Sequence, residues 1–81
     1  MKNFISNKNL LGVAAKRVLT ENNMTYKRIY MGITWACITH HYYSDVIWYL
    51  KAVIKNTYNT EDIIDAAKEI LEEFEGLIKN D

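Results

Sequence analysis

The sequence has no proline, three glycines, a single cysteine and no net charge, because its ten basic residues match its ten acidic ones. Without proline and with little glycine, the chain contains few residues that break helices. A lone cysteine cannot form an intrachain disulfide, which excludes a disulfide scaffold and favours a reducing compartment. The 81 residues leave room for one core, so we expect a single domain over residues 1–81.

A long uninterrupted apolar run is also lacking. The most apolar stretch, residues 29–50, contains Asp45, two histidines and several hydroxyl side chains. A carboxylate at the centre of a bilayer costs about 2.5–3.5 kcal/mol on insertion scales. A secretory signal is not expected either, because only Phe4 and Ile5 follow Lys2 before polar residues begin. We therefore expect a cytoplasmic protein with no membrane partner.

Apolar residues recur at helical spacing wherever the pattern is clear, and no stretch alternates as a half-buried strand does. We predict an all-α protein, a compact bundle of four to five short helices. The first helix is expected from Ser6 or Asn9 to about Glu21, and the last follows a capping Thr60. The predicted core stripe of the first helix comprises Leu10, Leu11, Ala14, Ala15, Val18 and Leu19.

The stretch between these two helices is ambiguous. Thr25 is a good N-cap for a second helix, and Gly32 could end that helix so that Thr34 caps the next. Ser44 could cap a further helix, with Asp45 favouring its positive end. We predict a break at Gly32 and leave the one at Ser44 open.

The zero net charge conceals an uneven distribution. Residues 1–40 carry six basic residues and one acidic residue, whereas residues 41–81 carry four basic and nine acidic residues. The two halves therefore have formal charges of +5 and −5. We expect two unlike surfaces on one small bundle.

The segment GITWACIT, from Gly32 to Thr39, resembles the turn and second-helix start of repressor-type helix-turn-helix domains. The resemblance covers about residues 9–43 and implies a DNA-binding regulator whose recognition helix begins near Thr34. In an alternative interpretation, Trp35, Ile38 and Tyr42 face the core instead. The residues that the resemblance implies for DNA contact, four for phosphates and four for the groove, are Lys16, Arg17, Lys27, Arg28, Thr34, Trp35, Thr39 and His40.

Aromatic residues are concentrated in the middle of the chain, with eight Tyr and Trp between residues 26 and 58. A small core cannot easily bury all of them, and Tyr and Trp are enriched at protein interfaces. The last helix also has an acidic face that could dock on a basic partner. The residues expected to bind a protein partner are Tyr43, Trp48, Tyr49, Asp65, Glu69, Glu72 and Glu73.

Chemistry at a catalytic or metal centre is not expected. Cys37, His41 and Asp45 would share one face of a continuous helix, but one helix rarely supplies more than two of the ligands that zinc needs. No glycine-rich phosphate loop is present, and an 81-residue bundle offers little room for a substrate pocket. We therefore predict no enzyme activity, no metal and no cofactor.

Two functions follow from these patterns. The first is a small non-catalytic interaction protein, an inhibitor or regulator that binds a protein partner, with homodimer formation left open. The second is a helix-turn-helix DNA-binding transcriptional regulator. Asn, Lys, Ile and Tyr, whose codons are A/T-rich, supply 32 of the 81 residues, which favours an A/T-rich bacterial genome, or a phage or other mobile element living in one, as the source.

Overall fold

The computed structural model describes residues 7–39 and 43–79 and contains four helices in these ranges. They are α1 (Asn7–Thr20), α2 (Met24–Thr39), α3 (Tyr43–Lys55) and α4 (Glu61–Lys79). No strand occurs within the described ranges. The prediction of an all-α bundle is therefore confirmed, at the lower end of the expected number of helices.

Polar side chains define the starts of two helices. The Asn23 side-chain oxygen accepts hydrogen bonds from the backbone N–H groups of Thr25 at 2.9 Å and Tyr26 at 3.3 Å. The predicted cap at Thr25 is therefore wrong by two residues, because the asparagine of the preceding loop performs that role. At α4 the Thr60 hydroxyl accepts from the N–H of Ile63 at 3.4 Å, which confirms the predicted cap.

The predicted break at Gly32 is wrong, because α2 continues through it as a regular helix without a positive φ. The segment from Gly32 to Thr39 consequently forms no turn. Gly32 instead gives room to Tyr49 of α3, whose ring and hydroxyl would overlap a Cβ at this position. Near Ser44, where the sequence left a break open, the structure describes α2 up to Thr39 and α3 from Tyr43, so Ser44 is the second residue of α3, and residues 40–42 lie outside the described part of the chain.

The helices pack as two neighbouring pairs. α1 packs against α2, α3 packs against α4, and α2 also contacts both α3 and α4, so it lies at the centre of the bundle. We call residues 7–39 the α1–α2 pair and residues 43–79 the α3–α4 pair. The buried core draws on all four helices and includes Leu10, Ala14, Ile29, Tyr30, Ile33, Cys37, Val46, Leu50, Ala66, Ala67, Ile70 and Phe74.

None of the helices in the described ranges is long and apolar enough to cross a bilayer.

Candidate functional site

Exposed apolar side chains are distributed unevenly over the molecule. Seven large ones are exposed among the described residues, and five of these belong to the α1–α2 pair. The two on the α3–α4 pair are Trp48, which is 71% exposed, and Tyr58, which lies in the loop before α4. Isolated exposed apolar residues are ordinary, whereas a cluster of them marks an interaction surface. The cluster on the α1–α2 pair is therefore the candidate site.

Four of these side chains line one groove between α1 and α2. Leu19 of α1 and Met31, Trp35 and Ile38 of α2 are between 53% and 84% exposed. The groove has a volume of about 380 Å³, within the size range of ligand and peptide pockets. We call it the α1–α2 groove and define it by Ala15, Val18, Leu19, Met31, Thr34, Trp35 and Ile38.

The groove exists because α2 is apolar on two faces. One face, with Tyr30, Ile33 and Cys37, is buried in the core. Met31, Trp35 and Ile38 follow at spacings of four and three residues on a second face, displaced from the first around the helix axis. Because α1 flanks this second face without covering it, the apolar side chains remain open to solvent.

Polar groups contribute little to the groove. Its one hydroxyl, on Thr34, donates a hydrogen bond to the backbone oxygen of Tyr30 at 2.9 Å. The hydroxyl hydrogen is therefore already used within α2. Recognition in the groove must rely on shape and on apolar burial rather than on hydrogen bonds from the lining side chains.

A polar cluster on another side of α2 fastens the two helix pairs together. Glu73 of α4 forms an ion pair with Arg17 of α1 and accepts a hydrogen bond from the Tyr30 hydroxyl at 2.9 Å. Burial and the hydrogen bond to the carboxylate raise the pKa of Tyr30 to about 12. Arg17 was implied for DNA contact and Glu73 was expected to bind a protein partner; in the structure the two side chains contact each other.

The other residues implied for DNA contact fall into three groups. Lys16 and Arg28 are exposed on the α1–α2 pair, and Lys27 is half-buried. The Thr39 hydroxyl, like that of Thr34, donates to the backbone oxygen four residues earlier. Trp35 faces outward into the groove, and His40 lies outside the described residues.

The predicted aromatic surface is only partly present. Trp48 is exposed on α3, but Tyr49 is not, because its ring packs into the bundle beside Gly32. Burial accordingly raises the pKa of Tyr49. The Tyr43 side chain lies outside the described ones. Asp65, Glu69 and Glu72 are exposed along α4, as the acidic-face prediction requires.

Cys37, His41 and Asp45 were considered as metal ligands and not expected to bind a metal, and only the Cys37 side chain of the three is described. Cys37 is buried against the core, and burial raises the pKa of its thiol. His41 and the side chain of Asp45 lie outside the described part of the chain. Among the side chains that the structure does describe, no three His, Cys, Asp or Glu residues form a metal-binding group.

The groove itself was missed by sequence reasoning. Ala15, Val18 and Leu19 were assigned to the core stripe of the first helix, yet Leu19 is 84% exposed. The alternative in which Trp35 and Ile38 face the core is likewise wrong, since both are exposed. The available signal was the second apolar stripe of α2, with Met31, Trp35 and Ile38 spaced by four and three residues.

No protein-family model matches this chain, and no significant match is found among curated proteins or among solved structures.

Proposed function

We propose that the protein is a small non-catalytic interaction module, a regulator or inhibitor that binds a protein partner in the α1–α2 groove. The observation that carries the proposal is the convergence of four exposed large apolar side chains on one groove. An exposed apolar cluster of this kind promotes aggregation when it is left open to water, and a bound partner covers it.

The energetics of burial favour this use of the groove. Complete burial of one large apolar side chain is worth about 1.5–3 kcal/mol. Leu19, Met31, Trp35 and Ile38 are at least half exposed, so the four together supply several kcal/mol toward association. Translational entropy offsets part of that gain, which leaves a moderate affinity. Trp35 is the expected hot spot, because tryptophan at the centre of an apolar patch dominates binding energies.

A peptide-display selection against the intact protein tests the proposal. The selected peptides are then measured against Leu19→Gln/Ile38→Gln, which makes the groove polar, and against Trp48→Gln on α3 as the matched control. Both changes replace exposed side chains, so circular dichroism should show the same helix content in all three proteins. We expect the groove variant to lose about tenfold or more in affinity and the control to bind as the parent does. Equal binding to both variants would refute the groove as the site.

DNA binding is a second proposal, favoured by the exposure of Lys16 and Arg28 on the basic pair of helices. It predicts that random duplex DNA is retarded at low salt and that the affinity falls steeply as salt rises. The variant Lys16→Ala/Arg28→Ala should then bind less tightly and show a smaller salt dependence. Absence of any mobility shift at low salt would remove this second function.

A further inference from the structure

We infer that a recess between α2, α3 and α4 binds a small organic acid, an oxyanion attached to a short apolar group. The site is separate from the α1–α2 groove, because the two share no lining residue among the described side chains. Binding there is independent of the partner-binding function proposed above. We call the site the Arg28 recess and define it by Thr25, Arg28, Ile29, Tyr49, Val53 and Ile63.

The fold brings Arg28 and the hydroxyl group of Tyr49 to neighbouring turns of α2. Thr25, Arg28 and Ile29 follow at spacings of three residues and one residue, so they lie on one face of α2. Gly32 continues this face one turn after Arg28, and its missing side chain lets the Tyr49 ring lie against the helix. The phenol hydroxyl therefore reaches α2 one turn beyond the Arg28 side chain.

The Arg28 recess has a positive charge and no carboxylate in its lining. Arg28 is exposed and forms no ion pair with a carboxylate in the described part of the chain. Glu61 and Asp62 precede Ile63 on α4, but both are exposed and neither lines the recess. A guanidinium group presents paired N–H donors in a fixed plane, which match two oxygens of a carboxylate or a phosphate. The recess is therefore suited to an oxyanion.

Two hydroxyl groups supply further donors. Neither Thr25 nor Tyr49 donates a side-chain hydrogen bond to another described group, whereas the Thr34 hydroxyl donates to its own helix. Burial raises the pKa of Tyr49, so its phenol keeps the proton and remains a donor at neutral pH. Asn59, which also lines the recess, already donates to the backbone oxygen of Val53 at 2.9 Å. A half-buried hydroxyl without a partner favours a ligand that accepts a hydrogen bond from it.

The apolar lining and the volume define the rest of the ligand. Ile29, Val53 and Ile63 contribute apolar surface to the recess. Its volume of about 180 Å³ is below the roughly 300–1,000 Å³ of pockets for drug-sized ligands. At about 30 Å³ for each water molecule, it corresponds to about six waters, which suits a ligand of about six or seven heavy atoms. A carboxylate on a short branched alkyl group uses both the donors and the apolar surface.

Other classes of ligand fit the Arg28 recess less well. A cation would be repelled by Arg28. A neutral apolar molecule would cover Thr25 and Tyr49 without accepting a hydrogen bond from either, which carries a desolvation cost. A phosphate of a nucleic acid has no short alkyl group to bury against Ile29 and Val53, so DNA contact would use Arg28 without the apolar lining.

NMR titration of the ¹⁵N-labelled protein tests the inference with four probes. Isovalerate joins a carboxylate to a branched alkyl group. Acetate and inorganic phosphate carry an oxyanion without that group, and isoamyl alcohol carries the group without the charge. The ionic strength is kept constant with sodium chloride, so that screening is the same in every titration. The side-chain N–H of Arg28 and the backbone amide of Ile29 report on the recess.

Isovalerate should shift both resonances and bind about tenfold tighter than acetate, phosphate or isoamyl alcohol. Arg28→Gln should weaken isovalerate binding about tenfold or more, and Tyr49→Phe about threefold or more, because each removes a donor to a charged group. Tyr49→Phe keeps the ring that packs against Gly32, and Arg28 is exposed, so both variants should retain the spectrum of the folded parent.

Two controls show whether any loss is specific to the recess. Lys16→Gln removes an exposed positive charge that does not line the Arg28 recess, and Leu19→Gln/Ile38→Gln changes only the α1–α2 groove. Both should bind isovalerate as the parent does. Equal losses in Lys16→Gln and Arg28→Gln, or equal affinities for isovalerate, acetate and phosphate, would overturn the inference by reducing Arg28 to a surface charge. Isovalerate shifts that do not saturate would overturn it as well.

Discussion

The contact between Tyr30 and Glu73 predicts a specific loss of stability in Tyr30→Phe. Tyr30 is 6% exposed and donates to a carboxylate at 2.9 Å, and hydrogen bonds to charged groups contribute about 1.5–3 kcal/mol. The side chain of Glu73 remains 25% exposed, so water can replace part of the lost bond. Glu73 also keeps its partner Arg17, although half-exposed ion pairs of this kind are worth only about 0–1 kcal/mol. We therefore expect Tyr30→Phe to lower the free energy of unfolding by about 1–2 kcal/mol at neutral pH.

The same contact predicts how stability changes with alkaline pH. The folded protein raises the pKa of Tyr30 from 10.0 to about 12, so the neutral phenol is the form that folding favours. Its contribution is complete below pH 10, and it declines as the pH rises from 10 toward 12 because the unfolded chain loses its proton first. The slope attributable to Tyr30 is at most about 1.4 kcal/mol for each pH unit in that window.

Urea unfolding followed by circular dichroism measures both effects. The parent should lose stability more steeply than Tyr30→Phe between pH 10 and 12, so that the two curves converge. Tyr58→Phe is the matched control, because Tyr58 is 97% exposed and its removal should leave both quantities unchanged. Parallel curves for the parent and Tyr30→Phe, or equal stability at neutral pH, would refute the role of the contact.

Three other changes test the packing by urea unfolding. Gly32→Ala should lower the free energy of unfolding by about 1–3 kcal/mol, because the new Cβ would overlap Tyr49. In a Tyr49→Ala background the same change should raise the free energy of unfolding by up to about 1 kcal/mol. Additive effects of the two substitutions would contradict the contact. Asn23→Ala removes the cap of α2 and should lower the free energy of unfolding by about 0.5–2 kcal/mol, whereas Thr25→Ala should lower it by less than about 0.5 kcal/mol. A larger loss in Thr25→Ala than in Asn23→Ala would place the cap at Thr25. Leu50→Ala should cost about 2–5 kcal/mol, since Leu50 is fully buried; a smaller loss would mean a looser core.

Helix class was predictable because it depends on local spacing and capping. The apolar residues from Ile63 to Leu77 and the hydroxyl of Thr60 lie within one segment of chain, and the helix predicted to follow a capping Thr60 was confirmed. Gly32 was misjudged for the opposite reason. Glycine serves equally well as a helix end or as a place of close approach, and the choice here is made by Tyr49, seventeen residues further along the chain.

The site was harder to predict because α2 is apolar over most of its circumference. The buried residue Tyr30 and the exposed residue Met31 are adjacent in sequence and both suit a core. Spacing alone cannot decide which of two apolar faces is covered, because the decision depends on where α3 and α4 dock. For the same reason Leu19, which continues the core stripe of α1, was assigned to the interior although it is exposed.

Among the described side chains, the basic α1–α2 pair and the acidic α3–α4 pair neutralise each other directly at one ion pair. Arg17 and Glu73 join the basic pair of helices to the acidic one, and Tyr30 completes the contact from α2. The ion pair neutralises one positive and one negative charge, and it does not lie in the α1–α2 groove. Lys16 and Arg28 remain exposed, but neither lines the α1–α2 groove, because Lys16 lies in a recess beside Glu73 and Arg28 lies in one beside Tyr49. The exposed basic side chains and the apolar groove are therefore separate features of the α1–α2 pair, and the two proposed functions each use one of them.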